Sequence, residues 1–193
     1  INQYRNRQVD RNFYENIGFE ARYLNKFKIG SFDNALATGV RYYAGNTIRK
    51  QLGRGNASFD FDLSLTNPVY GRDLSFNTRN IAFFVENSFS VLSRLTITPG
   101  VRIENIQNSG KGYINTTSAG GINFDDRTRT LLLGGVGIQY NLNENKSNVY
   151  ANISQAFRPI TFAELTPSAT TDIIDQNLKD ATGFNADLGY RGK

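Results

Sequence analysis

The stretch Asn80–Glu104, NIAFFVENSFSVLSRLTITPGVRIE, decides the fold, because it contains two alternating segments joined by a short polar turn. The odd positions of the first segment carry Ile81, Phe83 and Val85, and the odd positions of the second are again apolar. Strict alternation over such lengths predicts β-strands with one face shielded from water. The stretch therefore predicts an antiparallel hairpin with one apolar face and one polar face.

The same pattern recurs along the chain and marks seven predicted strands. They are Ile17–Phe27, Asp33–Tyr43, Asn77–Ser90, Leu95–Ile106, Thr128–Asn141, Asn148–Arg158 and Gly183–Arg191. The short connections are Lys28–Phe32, Val91–Arg94 and Leu142–Ser147. The long connections are Ala44–Phe76, Gln107–Arg127 and Pro159–Thr182. This alternation is typical of an antiparallel up-and-down transmembrane β-barrel with short periplasmic turns and long extracellular loops.

One further alternating segment, Ala57–Leu65, lies inside the first long connection. If it spanned a membrane, the chain would have eight strands, about the number needed for a small closed barrel. Every later strand would then reverse its direction, and the long connections would lie on both edges of the sheet. We therefore predict that this segment is a strand of an extracellular loop, with its apolar face packed on neighbouring loops.

The composition excludes several classes of chemistry. The chain has no cysteine, methionine, tryptophan or histidine, so disulfides, thiolate or imidazole metal sites and histidine-based catalysis are impossible. No nucleotide-binding motif is present. The formal net charge of +5 is scattered rather than clustered, and no apolar run approaches a transmembrane helix. We expect no enzyme, no cofactor and no nucleic-acid partner.

The face opposite to the apolar one carries charges on several predicted strands. In a soluble sheet they would point to open water, and in a wide barrel they would line a wet lumen or hold a plug. On this face lie Glu20, Arg22 and Arg41, and the residues interpreted as structural and lumen-facing are Glu86, Arg102, Glu104, Arg158, Asp187 and Arg191. Because inward charges are costly unless paired, we expect Arg102 to pair with a carboxylate across strands, with Glu86 as the first candidate.

Several short motifs resemble one family in their residues and in their order. Phe84–Asn87 reads FVEN and Pro99–Glu104 reads PGVRIE, which is similar to a strand pair of TonB-dependent outer-membrane receptors. Val149–Pro159, VYANISQAFRP, resembles a later strand of that family. Asn177–Lys179 followed by Asp187–Gly192 resembles its NLK and ELGYRG motifs, with aspartate in place of the commoner glutamate. The ferric citrate type of siderophore receptor is the most similar subfamily.

The resemblance implies a barrel of about 22 strands with an N-terminal plug domain. Such a receptor resides in the bacterial outer membrane and imports a ferric siderophore, with energy from the TonB complex. This chain would supply about a third of the barrel wall. Both ends look cut, so we expect residues 1–193 to be a partial barrel domain, with the plug, the remaining strands and the TonB-contacting N-terminal part absent. The implied partners are the siderophore, the plug, the TonB complex and outer-membrane lipid, with iron carried only as a chelate.

An anionic chelate such as ferric citrate would be bound by cationic side chains, because guanidinium groups bind carboxylates through two parallel hydrogen bonds. The candidates at or in the first long connection are Arg41, Arg49, Lys50, Arg54 and Arg72. These side chains could also serve only as solvated surface charges or pair with lipopolysaccharide phosphates. Two other functions remain open: a small autonomous outer-membrane barrel with a structural or passive-diffusion role, and an outer-membrane enzyme.

Overall fold

The computed structural model describes residues 5–58, 61–62, 64–114, 124–142, 146–166 and 177–192. Within these residues the chain forms eight strands and one short helix. In chain order they are β1 (Gln8–Ile29), β2 (Phe32–Gly55), β3 (Leu65–Asn67), β4 (Arg72–Leu92), β5 (Leu95–Ile114), β6 (Phe124–Asn141), β7 (Ser147–Arg158), α1 (Phe162–Leu165) and β8 (Ala181–Gly192). In the described part of the chain, no helix is long and apolar enough to cross a membrane.

The strands form one antiparallel sheet in the order β1-β2-β4-β5-β6-β7-β8, with the three-residue β3 added to the end of β2. Each of the seven long strands pairs with the next one along the chain. The predicted up-and-down order and antiparallel pairing are therefore confirmed.

The three predicted short connections lie at one edge of the sheet, and the two that the structure describes completely are tight turns. The first turn consists of Gly30 and Ser31, and Gly30 adopts a left-handed φ of 61°, which glycine tolerates without steric cost. The second turn consists of Ser93 and Arg94. The third connection is closed by a hydrogen bond of 2.8 Å from the Leu142 amide to the Ser147 carbonyl. All long connections consequently lie at the opposite end of the strands, which we call the long-connection edge.

The strands extend further toward the long-connection edge than the sequence predicts. The four strands β1, β2, β4 and β5 contain 22, 24, 21 and 20 residues. A membrane span needs only about 9–11 residues of a tilted strand. The additional residues are polar at many positions on both faces, so they lack the period-two signal. They are strands because backbone hydrogen bonding to a paired neighbour does not depend on side-chain polarity.

Among the described residues of the segment Ala57–Leu65, only Leu65 belongs to a strand, so these residues form neither a membrane-spanning strand nor the predicted strand of an extracellular loop. Phe59, Asp60 and Leu63 lie outside the described residues. The Asp62 carboxylate accepts hydrogen bonds from the Ser64 hydroxyl and amide, which lower the pKa of Asp62 to about 2. Local side-chain to backbone hydrogen bonds of this kind favour a turn over a strand.

The strand register confirms the predicted separation of faces on β4 and β5. Phe83 lies opposite Ile103, and Val85 lies opposite Val101. The opposite face pairs Phe84 with Arg102, Ala82 with Glu104 and Glu86 with Gly100. We call these two surfaces of the sheet the apolar face and the polar face.

The apolar face continues across the seven long strands and consists of large exposed side chains. Its members include Ile17, Phe19, Tyr42, Ile81, Phe83, Ile103, Leu132, Ile138, Ile153, Phe184 and Leu188. Leu188 is 80% exposed and Phe83 is 56% exposed. A continuous apolar surface of this extent requires an apolar environment outside the chain.

The buried core lies on the polar face near the long-connection edge. Leu74, Phe76 and Ile114 are 2%, 1% and 4% exposed, and Phe162 of α1 packs against them. The connection between β7 and β8 therefore folds back over the polar face. Closer to the turns, Gly39 allows the Phe84 ring to lie flat on the sheet, because a Cβ at residue 39 would be 2.5 Å from that ring.

Candidate ligand-binding site

A groove of about 790 Å³ crosses five strands. On each strand it is lined by adjacent residues, and the middle ones, which we call the groove row, are Asn16, Gly45, Thr78, Asn108 and Arg127. The strand register places these residues side by side on β1, β2, β4, β5 and β6. The groove row belongs to the polar face, and the lining residues next to it along each strand belong to the opposite face.

Three other charged residues line the groove. Glu15, Arg79 and Asp126 each lie next to a member of the groove row along their own strands. Successive side chains of a strand point to opposite faces, so the side chains of these three residues lie on the face opposite to the groove row. Arg127 is therefore the one charged side chain of the groove row.

Asn108 connects the groove row to the next row on the polar face. Its amide orientation is assigned from the hydrogen-bond network. The Nδ2 group lies 3.1 Å from the Thr78 hydroxyl, and the Oδ1 atom lies 3.3 Å from Arg129 Nη1. The Arg129 side chain is only 9% exposed. The groove floor is thus a hydrogen-bonded layer rather than a set of independent side chains.

An ion pair attaches the residues before β8 to this layer. Arg129 Nε lies 2.5 Å from Asp180 Oδ2, and the other carboxylate oxygen of Asp180 accepts a hydrogen bond of 2.9 Å from the Ile160 amide. Burial alone would raise the pKa of Asp180, but the hydrogen bonds from Arg129 and Ile160 outweigh it and lower the pKa. Asp180 is therefore ionised at neutral pH and bridges both ends of the β7–β8 connection to β6.

A second attachment of the same connection is aromatic. The rings of Phe162 and Phe76 stack with centroids 4.3 Å apart and an angle of 24° between their planes. The helix α1 that carries Phe162 begins with a capping box, in which Thr161 and Glu164 exchange side-chain to backbone hydrogen bonds. The Thr161 amide and the Arg158 guanidinium, which is 2.9 Å away, lower the pKa of Glu164. These local contacts fix the position of Phe162.

The two attachments lie on either side of the groove row. Phe76 is two residues from Thr78 in the direction of the long-connection edge. Arg129 is two residues from Arg127 in the direction of the turns. Alternate residues on one face are about 7 Å apart along a strand. The described part of the β7–β8 connection, residues 159–166 and 177–180, is therefore anchored on both sides of the groove.

The structure does not bring the five predicted ligand-binding cations together. Arg41 and Arg49 both lie on the polar face of β2, but they are eight residues apart, which corresponds to about 26 Å. Arg41 is exposed and lies opposite Glu20 of β1. Arg49 is half-buried, and its Nε atom has no hydrogen-bond partner among the described residues.

The other three predicted cations lie away from the groove. Lys50 is on the opposite face to Arg49 and forms a salt bridge of 3.4 Å with Asp73. Arg54 is exposed at the end of β2, where β3 pairs with it. Arg72 is the first residue of β4 and lies opposite Gln51. Direct ligand contact by any of the five cations remains a prediction.

The strand register places the six predicted lumen-facing charges on the polar face: Glu86, Arg102, Glu104, Arg158, Asp187 and Arg191. Arg158 pairs with Glu164, and the Arg191 guanidinium lies 5.3 Å from the centre of the Tyr150 ring. The first of these contacts is with the β7–β8 connection, and the second is a cation–π interaction. A lumenal role for the six residues remains a prediction.

The prediction that Arg102 pairs with a carboxylate across strands is wrong. Arg102 Nε pairs with Glu104 at 2.8 Å, on its own strand, and Asn80 also donates a hydrogen bond to Glu104. Residues i and i+2 of a strand share a face, so a carboxylate two positions away competes with any cross-strand partner. Glu86 lies opposite Gly100 rather than Arg102, which makes it a more distant diagonal neighbour.

The groove row was not predicted as a site. The predicted connection Gln107–Arg127 includes both Asn108 and Arg127, so neither residue is assigned a face. Asn16 precedes the first predicted strand. A local signal does exist: Arg127 and Arg129 alternate with Thr128 and Thr130, which favours extending that strand. Among the described residues, no cluster of three or more carboxylates could hold a metal ion.

An open antiparallel sheet with one exposed apolar face and one polar face is the form expected of the wall of a membrane β-barrel. The TonB dependent receptor-like, beta-barrel family matches residues 1–193. The chain therefore belongs to the TonB-dependent receptor β-barrel family.

Solved structures of the same fold include three metal-chelate or metal transporters. The ferric citrate transporter FecA, in its unliganded form, has a TM-score of 0.74 and 22% identity, over 96% of this chain and 26% of FecA. The ferric-catecholate import receptor Fiu of E. coli K12 has a TM-score of 0.68 and 15% identity, over 92% of this chain and 28% of Fiu. The copper transporter OprC has a TM-score of 0.61 and 19% identity, over 94% of this chain and 28% of OprC.

These similarities establish the fold. The chain spans about a quarter of the length of the solved relatives. No curated protein sequence matches the chain significantly.

Proposed function

We propose that the chain is a wall segment of a TonB-dependent receptor that imports a ferric siderophore across the bacterial outer membrane. The supporting observation is a sheet of seven long antiparallel strands with one exposed apolar face and one polar face. In this proposal the apolar face contacts lipid, and the polar face borders a lumen that holds the plug domain of the longer receptor. The plug, the remaining strands and the TonB contact belong to the rest of that receptor.

The chelate is proposed to be bound near the long-connection edge. The groove lies on that side of the sheet, and the β7–β8 connection folds over the same region. Ferric citrate is the first chelate to test, because Arg127 can bind a carboxylate through two parallel hydrogen bonds. FecA, which transports ferric citrate, shares the fold.

A small autonomous barrel is a weaker proposal. Such a barrel would have to close by pairing its first strand with its last one. Across the described strands, β1 and β8 pair only with β2 and β7 and leave the sheet open.

The proposal is tested by measuring the uptake of radioactive iron into cells. These cells express the full receptor that contains this chain, and they contain no other receptor of this family. We expect uptake of ferric citrate that requires the receptor and stops when the TonB complex is absent. A protein that admits small neutral solutes, takes up no ferric chelate and works equally well without the TonB complex would instead be a passive barrel.

A further inference from the structure

The backbone pairing between β6 and β7 ends before either strand does. It extends from the pair Asn141–Asn148 near the turns to the pair Gly135–Ser154. Further toward the long-connection edge, β6 stays paired with β5 up to its first residue, and β7 stays paired with β8 up to its last residue. Within the described residues, each of the two strands is therefore paired on one side only along this boundary, which we call the seam.

The edge of β6 at the seam carries backbone groups that point toward β7. The Gly134 amide donates a hydrogen bond of 2.8 Å to the side-chain oxygen of Gln155, so it points into the seam. Backbone groups of successive residues point alternately to the two neighbouring strands of a sheet. The amides of Leu132 and Thr130 consequently also point into the seam, and those of the odd-numbered residues of β6 point to β5. The seam is thus an interruption of the hydrogen-bonded wall.

Side chains hold the two sides of the seam together. Gln155 of β7 bonds to the edge of β6, as described above. Closer to the long-connection edge, Arg129 of β6 forms an ion pair with Asp180, which directly precedes β8. The third contact is the stack between Phe162 of α1 and Phe76 of β4. In the described part of the chain, the seam is therefore closed by separate side-chain contacts rather than by a continuous backbone ladder.

The part of the chain beyond the seam is held together by its own contacts. The strands β7 and β8 pair with each other from end to end. Asp180 accepts a hydrogen bond of 2.9 Å from the Ile160 amide, and Glu164 of α1 forms a salt bridge of 2.9 Å with Arg158 of β7. These contacts join α1 and the residue before β8 to the hairpin. We call β7, α1, Asp180 and β8 together the β7–β8 unit.

We propose that the β7–β8 unit opens along the seam as one body, while the backbone pairs from Gly135 to Asn141 keep it attached to β6. The seam is the boundary that opens most readily, because the other neighbouring long strands are joined by longer backbone ladders. Opening moves Phe162 away from Leu74 and Phe76 and uncovers the buried core on the polar face. This inference goes beyond the proposed function and does not depend on which solute the receptor transports.

The test is hydrogen exchange of single backbone amides in the purified full receptor, with the Gly134 amide as the reporter of the closed seam. Arg129→Gln removes the ion pair, which lies five residues from Gly134 along β6. That separation is about 16 Å, so the substitution acts on the reporter only if the unit moves as one body. We expect the Gly134 amide to exchange about tenfold faster or more. Phe162→Ala, which removes the aromatic stack, is expected to accelerate the same amide about fivefold.

Two controls separate opening of the seam from other effects. Arg22→Gln removes an exposed ion pair with Glu20 on β1, and exchange of the Gly134 amide should stay within about twofold of the wild type. The Leu131 amide points to β5, so its exchange should not change in any variant. If the Leu131 amide accelerated by the same factor as the Gly134 amide, the whole sheet would be opening, and the inference would be overturned.

Two further results would also overturn the inference and leave the proposed function intact. Exchange of the Gly134 amide that is unchanged in both Arg129→Gln and Phe162→Ala would show that the contacts across the seam open independently. In the wild type, we expect the Leu132 amide to exchange at least about tenfold faster than the Leu131 amide, because only the latter faces a paired strand. Equal protection of these two amides would show that a backbone partner closes the seam.

Discussion

Replacing Phe76 by alanine is expected to lower the free energy of unfolding of the full receptor by about 3–5 kcal/mol, the usual cost of removing a fully buried phenylalanine. Phe76 is 1% exposed and packs in one cluster with Leu74, Ile114 and Phe162. Its removal would empty the core of the long-connection edge and also remove the stack with Phe162, which we estimate at about 1 kcal/mol. Denaturant unfolding of the refolded receptor in detergent measures this loss.

The matched control is Phe83→Ala, on the same strand but on the apolar face. Phe83 is 56% exposed, so its removal leaves no cavity within the sheet. We expect less than half of the effect of Phe76→Ala. Equal losses for the two variants would show that Phe76 is not in a packed core and that the β7–β8 connection does not cover it.

The second large effect is expected for Arg129→Gln, which should detach the β7–β8 connection from the sheet. Arg129 and Asp180 are 9% and 24% exposed, so the substitution leaves a partly buried carboxylate without its cation. We expect a local loss of about 2 kcal/mol, which corresponds to about thirtyfold faster proteolysis or hydrogen exchange within residues 159–166. The matched control is Arg22→Gln, whose pair with Glu20 is exposed and should contribute about zero to stability.

Acidification should break the same ion pair in the wild-type protein. The pKa of Asp180 is lowered in the folded state, so its stabilising contribution is complete above the ordinary aspartate pKa of about 4. The contribution is lost as pH falls through the lowered value. The protection of the Ile160 amide, measured as its exchange rate relative to the intrinsic rate at the same pH, should therefore be high at neutral pH and fall only in acid. Exchange that is equally fast at neutral pH in the wild type and in Arg129→Gln would contradict the anchoring role.

The membrane-facing part of the fold could be predicted from sequence because its signal is local. In Asn80–Glu104 the side chains alternate with the strand period, and the turn at Ser93 and Arg94 is short. Beyond the membrane-facing part, the strands are held by backbone hydrogen bonds to the neighbouring strands. Their side chains no longer alternate between apolar and polar, so the period of two is not visible in the sequence. For this reason the predicted connection Gln107–Arg127 is too long, because β5 continues to Ile114 and β6 begins at Phe124.

The groove could not be predicted in the same way, because it is assembled from positions distant in the chain. Asn16 and Arg127 are on different hairpins and share a row only through the accumulated register of five strands. One error, in the pairing of Arg102, was nevertheless avoidable from a local rule. Arg102 and Glu104 are two residues apart on one strand, which favours their pairing.

The central claim is that the sheet is a barrel wall with the apolar face in lipid and the polar face in a water-filled lumen. The chain contains no cysteine, so single cysteines can be introduced along β4 in a full receptor that has no other cysteine. Fluorescent labels at Ile81, Phe83 and Val85 should be quenched by a lipid-soluble quencher in vesicles, and labels at Phe84 and Glu86 should be quenched by a water-soluble one. Alternation between the two quenchers from one residue to the next is the predicted result, and uniform quenching of all five positions by the water-soluble reagent would contradict the account.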